Sequence, residues 1–108
     1  MHAFFRGTTP LFTFNLPFDP AYIDTMWLTF KQGQTVLTKG LADATIGDTS
    51  LSVTLTQSET LQFLDDKAVL LQMRVLFQDG TAAASAEKRL DVGRILKGGI
   101  ISAGNPTY

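Results

Sequence analysis

The sequence contains no cysteine and a single histidine among its 108 residues. The absence of cysteine excludes disulfide bonds and thiolate metal sites. The histidine, His2, lies beside the chain start, where nothing is predicted to hold it in place as a general base must be held. Serine–histidine and cysteine–histidine catalytic arrangements are therefore not predicted, and the chain is not expected to be an enzyme.

Positive charge and long apolar runs are also scarce. The net charge is −1, and the nine Lys and Arg residues form no run. A nucleic-acid interface needs a basic patch, so none is expected. No stretch approaches about 18 consecutive apolar residues, so membrane insertion is not expected. Residues 1–7 lack the apolar segment of a secretory signal, so export by that route is not expected.

The acidic residues and glycines match no catalytic, metal-binding or phosphate-binding motif. Asp65 and Asp66 are adjacent, so an extended chain directs them to opposite sides. Asp43 and Asp48 flank a loop but lack the spacing and the bidentate glutamate of an EF-hand. Residues 93–99 contain glycines without the Gly-Lys-Ser/Thr ending of a phosphate loop. We therefore predict no catalytic residue, no cofactor and no metal.

What the chain has in abundance is alternation of apolar and polar residues with a period of two. Three segments show it, at 12–16, 51–55 and 69–77. This pattern is typical of antiparallel strands with one face in the core. Leu70 and Leu76 fall on the second face of the longest segment, which predicts a central strand partly covered on both sides.

Turn sequences separate the predicted strands. Residues 31–34 predict a short hairpin connection between strands over 25–32 and 35–39. Asp79-Gly80 is typical of a type I′ turn, in which both central residues have positive φ. The strand after it is expected to run through the small residues 82–86 toward Val92 or Ile95, in a tightly packed or edge position.

Two short helical turns complete the predicted elements. One follows the proline-rich turn 17–20 and covers residues 21–24. The other lies within 56–64, with Ser58 as its N-cap. Neither is long enough to be a crossover helix of a parallel sheet.

Together these patterns predict an all-β fold. We expect an immunoglobulin-like, two-sheet antiparallel β-sandwich with one or two short helical turns, and a small barrel is the alternative. Residues 1–97 are expected to form this domain. Residues 98–108 are expected to form a tail that is flexible or docked on a partner.

The aromatic residues provide candidates for a binding surface. Phe4 and Phe5 are consecutive, so one ring must leave the core side of an extended segment. Trp27 has apolar neighbours and the same ambiguity. Exposed aromatic rings anchor protein interfaces or stack on sugars, unless the fold itself covers them. The candidate interface residues are Phe4, Phe5, Arg6, Tyr22, Trp27, Ile100 and Ile101.

The segment Arg6-Gly7-Thr8-Thr9-Pro10, followed by Phe12-Thr13-Phe14 and Leu16-Pro17-Phe18, resembles short proteins encoded by phages and prophages of Gram-positive bacteria. Segments 51–61, 72–76 and 92–96 resemble the same proteins. More distantly, the layout is similar to the N-terminal β-sandwich domain of phage baseplate upper proteins, which carry a long C-terminal extension that these 108 residues do not include. The resemblance implies a structural protein of the virion or tail, made in the bacterial cytoplasm.

The N-terminal segment also has a physical interpretation. Pro10 favours an extended backbone at the preceding residue and helps to start a strand. Arg6 is placed to pair with a carboxylate or a carbonyl near that strand, or else to remain a solvated surface charge.

The leading hypothesis is therefore an assembly module that contacts other phage structural proteins or further copies of itself. Edge strands and the two chain ends are the expected contact elements, and a homo-oligomer would follow from a symmetric tail. The alternative is a carbohydrate-binding β-sandwich that recognises host cell-surface polysaccharide through Trp27 or Tyr22. A small enzyme is the third and least supported hypothesis.

Overall fold

The computed structural model of the chain describes residues 2–102, which form two antiparallel sheets and a short parallel strand pair. The strands are β1 (Phe4–Phe5), β2 (Leu11–Asn15), β3 (Ile23–Gln32), β4 (Thr35–Gly40), β5 (Ala44–Ile46), β6 (Ser50–Thr54), β7 (Val69–Phe77), β8 (Ala82–Ala84), β9 (Lys88–Leu90) and β10 (Val92–Gly93). The short helical elements are two 3-10 turns, Pro20–Tyr22 and Leu41–Asp43, and the single-turn helix α1 (Gln57–Thr60).

The two sheets pack face to face and confirm the predicted all-β sandwich. The three-stranded sheet has the order β2-β6-β5, so β2 is at one edge. The five-stranded sheet has the order β4-β3-β7, and both β8 and β9 pair with the far side of β7. The remaining pair, β1 with β10, is parallel.

The core lies between β6 of one sheet and β3 and β7 of the other. Alternation places Leu51 and Val53 on the inner face of β6, opposite Leu28 and Phe30 of β3, and all four are almost completely buried. Burying these side chains removes apolar surface from water and is the main stabilising contribution of the sandwich. Phe63, which lies in the chain between α1 and β7, fills one end of this core.

Strand β7 is central, as predicted, but its outer face is open. Leu70 and Leu76 are both partly exposed, because none of residues 2–102 forms a further layer on that side of the five-stranded sheet. The predicted hairpin between β3 and β4 is confirmed, with Gly33 and Gln34 as its two loop residues. Gly33 has a φ of +59°, a conformation that glycine adopts without a steric penalty.

The predicted type I′ turn at Asp79-Gly80 is wrong. Gly80 has a positive φ, but Asp79 does not. Phe77 accepts a hydrogen bond from the Gly80 N–H and donates one to Thr81, which makes a three-residue loop with glycine in the left-handed position. Asp79 favours this loop because its carboxylate accepts hydrogen bonds from the Thr81 N–H and hydroxyl, which also lower the pKa of Asp79.

Two further expectations need correction. Thr56, not Ser58, is the N-cap of α1: its hydroxyl accepts the Glu59 N–H, while the Glu59 carboxylate accepts the Thr56 N–H. The strand after the loop is interrupted between β8 and β9, where the Ser85 hydroxyl accepts the Met73 N–H. Its residues Ala82–Ala84 take an edge position, as expected, but they are exposed and not tightly packed.

Candidate interaction surfaces

Phe4 and Phe5 are separated by the pairing of β1 with β10. Phe4 lies opposite Val92 and is only 4% exposed, with its ring edge-on to Phe12 and Phe63. Phe5 points away from the core and is 47% exposed. The expectation that one ring leaves the core is confirmed, and the ring that leaves is Phe5. Phe4 is therefore a core residue and not part of an accessible interface.

The exposed Phe5 ring lies on the backbone of its strand partner Gly93. A methyl group at Gly93 would overlap the Phe5 ring, so the absence of a side chain there allows the ring to lie flat against β10. The His2 ring, with its centroid 5.4 Å from that of Phe5, lies beside it. Phe5 is thus an exposed ring in a defined position.

Arg6 pairs with carbonyl groups, one of the arrangements expected for it. Its Nε donates a hydrogen bond of 2.6 Å to the Phe63 carbonyl, and its Nη2 donates one of 3.0 Å to the Leu61 carbonyl. Both acceptors belong to the segment between α1 and β7. Arg6 therefore holds this segment in place, and two of its N–H groups are already used within the domain.

The C-terminal segment is attached to α1. The Ile101 N–H donates to Gln57 Oε1 at 2.8 Å, and Gln57 Nε2 donates to the Ile101 carbonyl at 3.1 Å. The side chains stay in solvent: Ile101 is 78% exposed, and Ile100 is also exposed. Of the predicted tail, residues 103–108 lie outside the described residues.

Helix α1 therefore connects the two ends of the chain. Leu61, which follows the helix, accepts a hydrogen bond from Arg6, and the side chains of Leu61 and Ile95 both lie beside Gly7. Next to Ile95, Leu96 is 97% exposed. We call the exposed apolar side chains around this junction the terminal surface; its members are Phe5, Leu96, Ile100 and Ile101.

An ion pair fixes α1 to the five-stranded sheet. Lys39 of β4 binds the Glu59 carboxylate, and both side chains are largely buried. Burial alone would raise the pKa of Glu59, but hydrogen bonds from Lys39 and Thr56 and the charge of Lys39 outweigh it, so this pKa is below its usual value. Helix α1, to which the Ile101 backbone is bonded, is thus held to the five-stranded sheet by an ion pair.

Trp27 lies on the open outer face of the five-stranded sheet and is 52% exposed. Its strand neighbours on that face are Gly40 on one side and Arg74 on the other. The Arg74 guanidinium carbon is 5.3 Å from the centre of the Trp27 ring, within the range of a cation–π contact. A shallow cavity of about 370 Å³ beside the ring is lined in part by Leu76 and Ala82.

Tyr22 is exposed at the end of the 3-10 turn that precedes β3. Its carbonyl accepts the Gln78 N–H at 2.9 Å, which ties the turn to the loop after β7. Tyr22 is not among the residues that line the cavity beside Trp27. The two aromatic candidates for sugar binding therefore do not share one pocket.

An apolar groove beside the edge strand β2 is not predicted by the sequence pattern. The groove has a volume of about 420 Å³, and it lies between the inner face of β2 and the interrupted edge formed by β8 and β9. Its lining includes Phe14, Leu16, Phe18, Met73, Ala84 and Lys88. Its lining comes from segments far apart in the chain, and alternation within one strand does not report such a long-range arrangement.

Within residues 2–102, no helix is long and apolar enough to cross a lipid bilayer, and no three acidic or histidine side chains converge as metal ligands would. Comparisons of the chain with protein-family models, with curated proteins and with solved structures find no match. The fold defines a class, a small all-β sandwich with exposed apolar side chains at defined positions.

Proposed function

We propose that this chain is a structural module of a phage particle and joins neighbouring proteins through its terminal surface. The observation that carries the proposal is the set of four exposed apolar side chains around the junction of the two chain ends. Clustered exposed apolar residues are typical of protein interaction sites.

The manner in which these side chains are held also supports an interface. Phe5 lies against Gly93, and the Ile101 backbone is held by both ends of the Gln57 amide. A surface whose backbone is already ordered loses less conformational entropy when it binds. The phage context rests on the resemblance of the N-terminal segment, and a location in the virion is part of the same proposal.

Incorporation into particles is the direct test. In a strain whose prophage encodes the chain, we expect the protein in purified particles, detected by mass spectrometry and by immunogold labelling. The double variant Phe5→Asp/Ile101→Asp should lower its particle content at least about tenfold, because a charge at an interface core is poorly tolerated.

The matched control is Ile46→Asp, which places the same charge on an exposed apolar residue of β5. It should be incorporated like the wild type. Particles that never contain the protein would refute the proposal. Equal incorporation of the double variant and the control would refute the assignment to the terminal surface.

Carbohydrate binding is the second candidate, and the Trp27 face favours it. The Trp27 indole is half exposed, and Gly40 on one side of it has no side chain that could cover the ring. Arg74 on the other side provides hydrogen-bond donors next to the ring. Sugars are bound by stacking on aromatic rings and by hydrogen bonds from polar side chains. Host cell-surface polysaccharide is the expected ligand class.

Trp27 is the only tryptophan, so its fluorescence reports on this face directly. Titration with purified host wall polysaccharide should change the emission and saturate. In calorimetry, Trp27→Ala should abolish the binding heat, and Trp27→Phe should retain part of it. A flat fluorescence response together with no measurable heat would exclude this candidate.

A further inference from the structure

The edge strand β2 has backbone groups that no other strand uses. At its two ends, the Leu55 N–H donates to the Pro10 carbonyl and the Leu16 N–H donates to the Thr49 carbonyl. In an antiparallel ladder, every second residue bonds to the same neighbour. Even-numbered residues of β2 therefore bond to β6, and the N–H and C=O groups of Leu11, Thr13 and Asn15 point outward.

These outward groups have no protein partner within residues 2–102, and the three side chains are exposed. Native proteins usually protect such an edge with charges, prolines or bulges. Strand β2, with the sequence Leu-Phe-Thr-Phe-Asn, contains neither charge nor proline, and its pairing with β6 shows no register shift. Pro10 and Pro17 lie just outside it and limit the free edge to this segment.

The central part of β2 is symmetric in sequence, with Phe12 and Phe14 on either side of Thr13. We propose that β2 pairs in antiparallel fashion with β2 of a second copy of this chain, about a two-fold axis through Thr13. This register places Thr13 opposite Thr13 and Phe12 opposite Phe14. It also matches the backbone, since the outward groups of Leu11, Thr13 and Asn15 are those that the pairing uses.

A register that places an outward residue opposite Phe12 or Phe14 is excluded by the backbone, because the N–H and C=O groups of both phenylalanines already bond to β6. A register centred on Phe12 or Phe14 would bond only two of the three outward residues of each β2, whereas the register centred on Thr13 bonds all three. A register centred on Leu11 or Asn15 would pair fewer residues. Aromatic pairs and threonine pairs across strands are favourable. The two-fold pairing is isologous and closes as a dimer, so it does not lead to fibres.

Phe12 and Phe14 are only partly buried, which is consistent with a second copy of β2 beside them. Both rings pack against the core, and Phe14 also lines the apolar groove, whereas Leu51 and Val53 on the neighbouring strand are fully buried. A second β2 would extend the three-stranded sheet to six strands and cover this side of both sandwiches. Lys88 lines the groove, and the four charged residues of the segment 87–91 that contains it sum to zero, so this segment adds no net charge.

This inference deepens the proposed function, and rests on it, by naming a second copy as one partner. Sedimentation velocity and light scattering should give a mass of twice the 11.8 kDa of the chain. Thr13→Lys should raise the dimer dissociation constant at least about tenfold, because two like charges would face each other across the axis. The matched control is Thr45→Lys, since Thr45 pairs with Ser52 from the opposite edge of the same sheet.

A cysteine at position 13 tests the register, since the chain has no other. Facing residues of a hydrogen-bonded pair have Cα atoms about 5.5 Å apart, within reach of a disulfide. Thr13→Cys should form a covalent dimer on mild oxidation, and Thr45→Cys should not. Circular dichroism of each variant verifies folding.

A monomeric wild type at all soluble concentrations would overturn the dimer, as would a dimer unaffected by Thr13→Lys or equal cross-linking of both cysteine variants. Failure of the proposed function has a different signature. In that case, the dimer forms and responds to Thr13→Lys in solution, while particles lack the protein.

Discussion

Replacing Gln32 by alanine should lower the free energy of unfolding by about 3 kcal/mol, because three hydrogen bonds are lost at a buried position. Gln32 ends β3 and is 6% exposed. Its Nε2 donates to the Leu64 and Lys67 carbonyls at 2.7 and 2.9 Å, and its Oε1 accepts the Leu64 N–H at 2.8 Å. The amide therefore satisfies the backbone of a segment that has no strand partner.

Urea denaturation followed by circular dichroism measures this loss as a lower midpoint with an unchanged m-value. Gln34→Ala is the matched control, since Gln34 lies in the same hairpin, is exposed and makes no hydrogen bond among those within residues 2–102; its effect should stay within about 0.5 kcal/mol. If both variants are equally stable, the side chain of Gln32 does not hold the segment.

Arg6→Ala should destabilise the protein by about 2 kcal/mol, since it removes two charge-assisted hydrogen bonds to the Leu61 and Phe63 carbonyls. Arg6→Lys should recover only part of this loss, because an ammonium group is a single point donor and cannot reproduce the spaced donors of a guanidinium. Thermal and urea unfolding both measure the effect.

Arg89→Ala provides the control for the loss of a positive charge. Arg89 is exposed, its pair with Asp91 is 4.0 Å long, and such pairs contribute little. Equal stability of the Arg6 and Arg89 variants would mean that Arg6 is a free surface charge. That result would return Arg6 to the list of candidate interface residues.

Gln32 and Arg6 hold one segment from two directions. Arg6, directly after β1, donates to the carbonyls of Leu61 and Phe63, and Gln32, at the end of β3, donates to those of Leu64 and Lys67. Neighbouring residues that share such a segment couple energetically. Between these two anchoring residues, the Phe63 ring is buried in the core. The segment that connects α1 to β7 is therefore held both by hydrogen bonds and by packing against the sandwich.

Neither anchor could be predicted from the sequence. Gln32 is the last residue of β3 and occupies a buried position of the alternating pattern. From the sequence alone, a polar residue at this position indicates only that the strand ends there. Its acceptors lie more than 30 residues away in the chain, and those of Arg6 more than 50. Local periodicity describes which face a residue occupies, but it contains no information on which distant carbonyl groups reach that face.

The sequence by itself determined the all-β class, the β3–β4 hairpin and the departure of one ring of Phe4-Phe5 from the core. These are local properties, because alternation and turn residues act over a few positions. The tertiary structure decided which ring leaves, since β1 pairs with β10, almost the whole chain away.

The tertiary structure also decided where the surfaces lie. It brought Ile101 to α1, left Trp27 on an uncovered sheet face and made β2 an edge beside an apolar groove. The alternation of β2 is the same whether a strand is central or at an edge. The number of neighbours that a strand receives depends on the packing of the whole chain, and this is the physical reason why the sequence pattern alone did not identify the free edge.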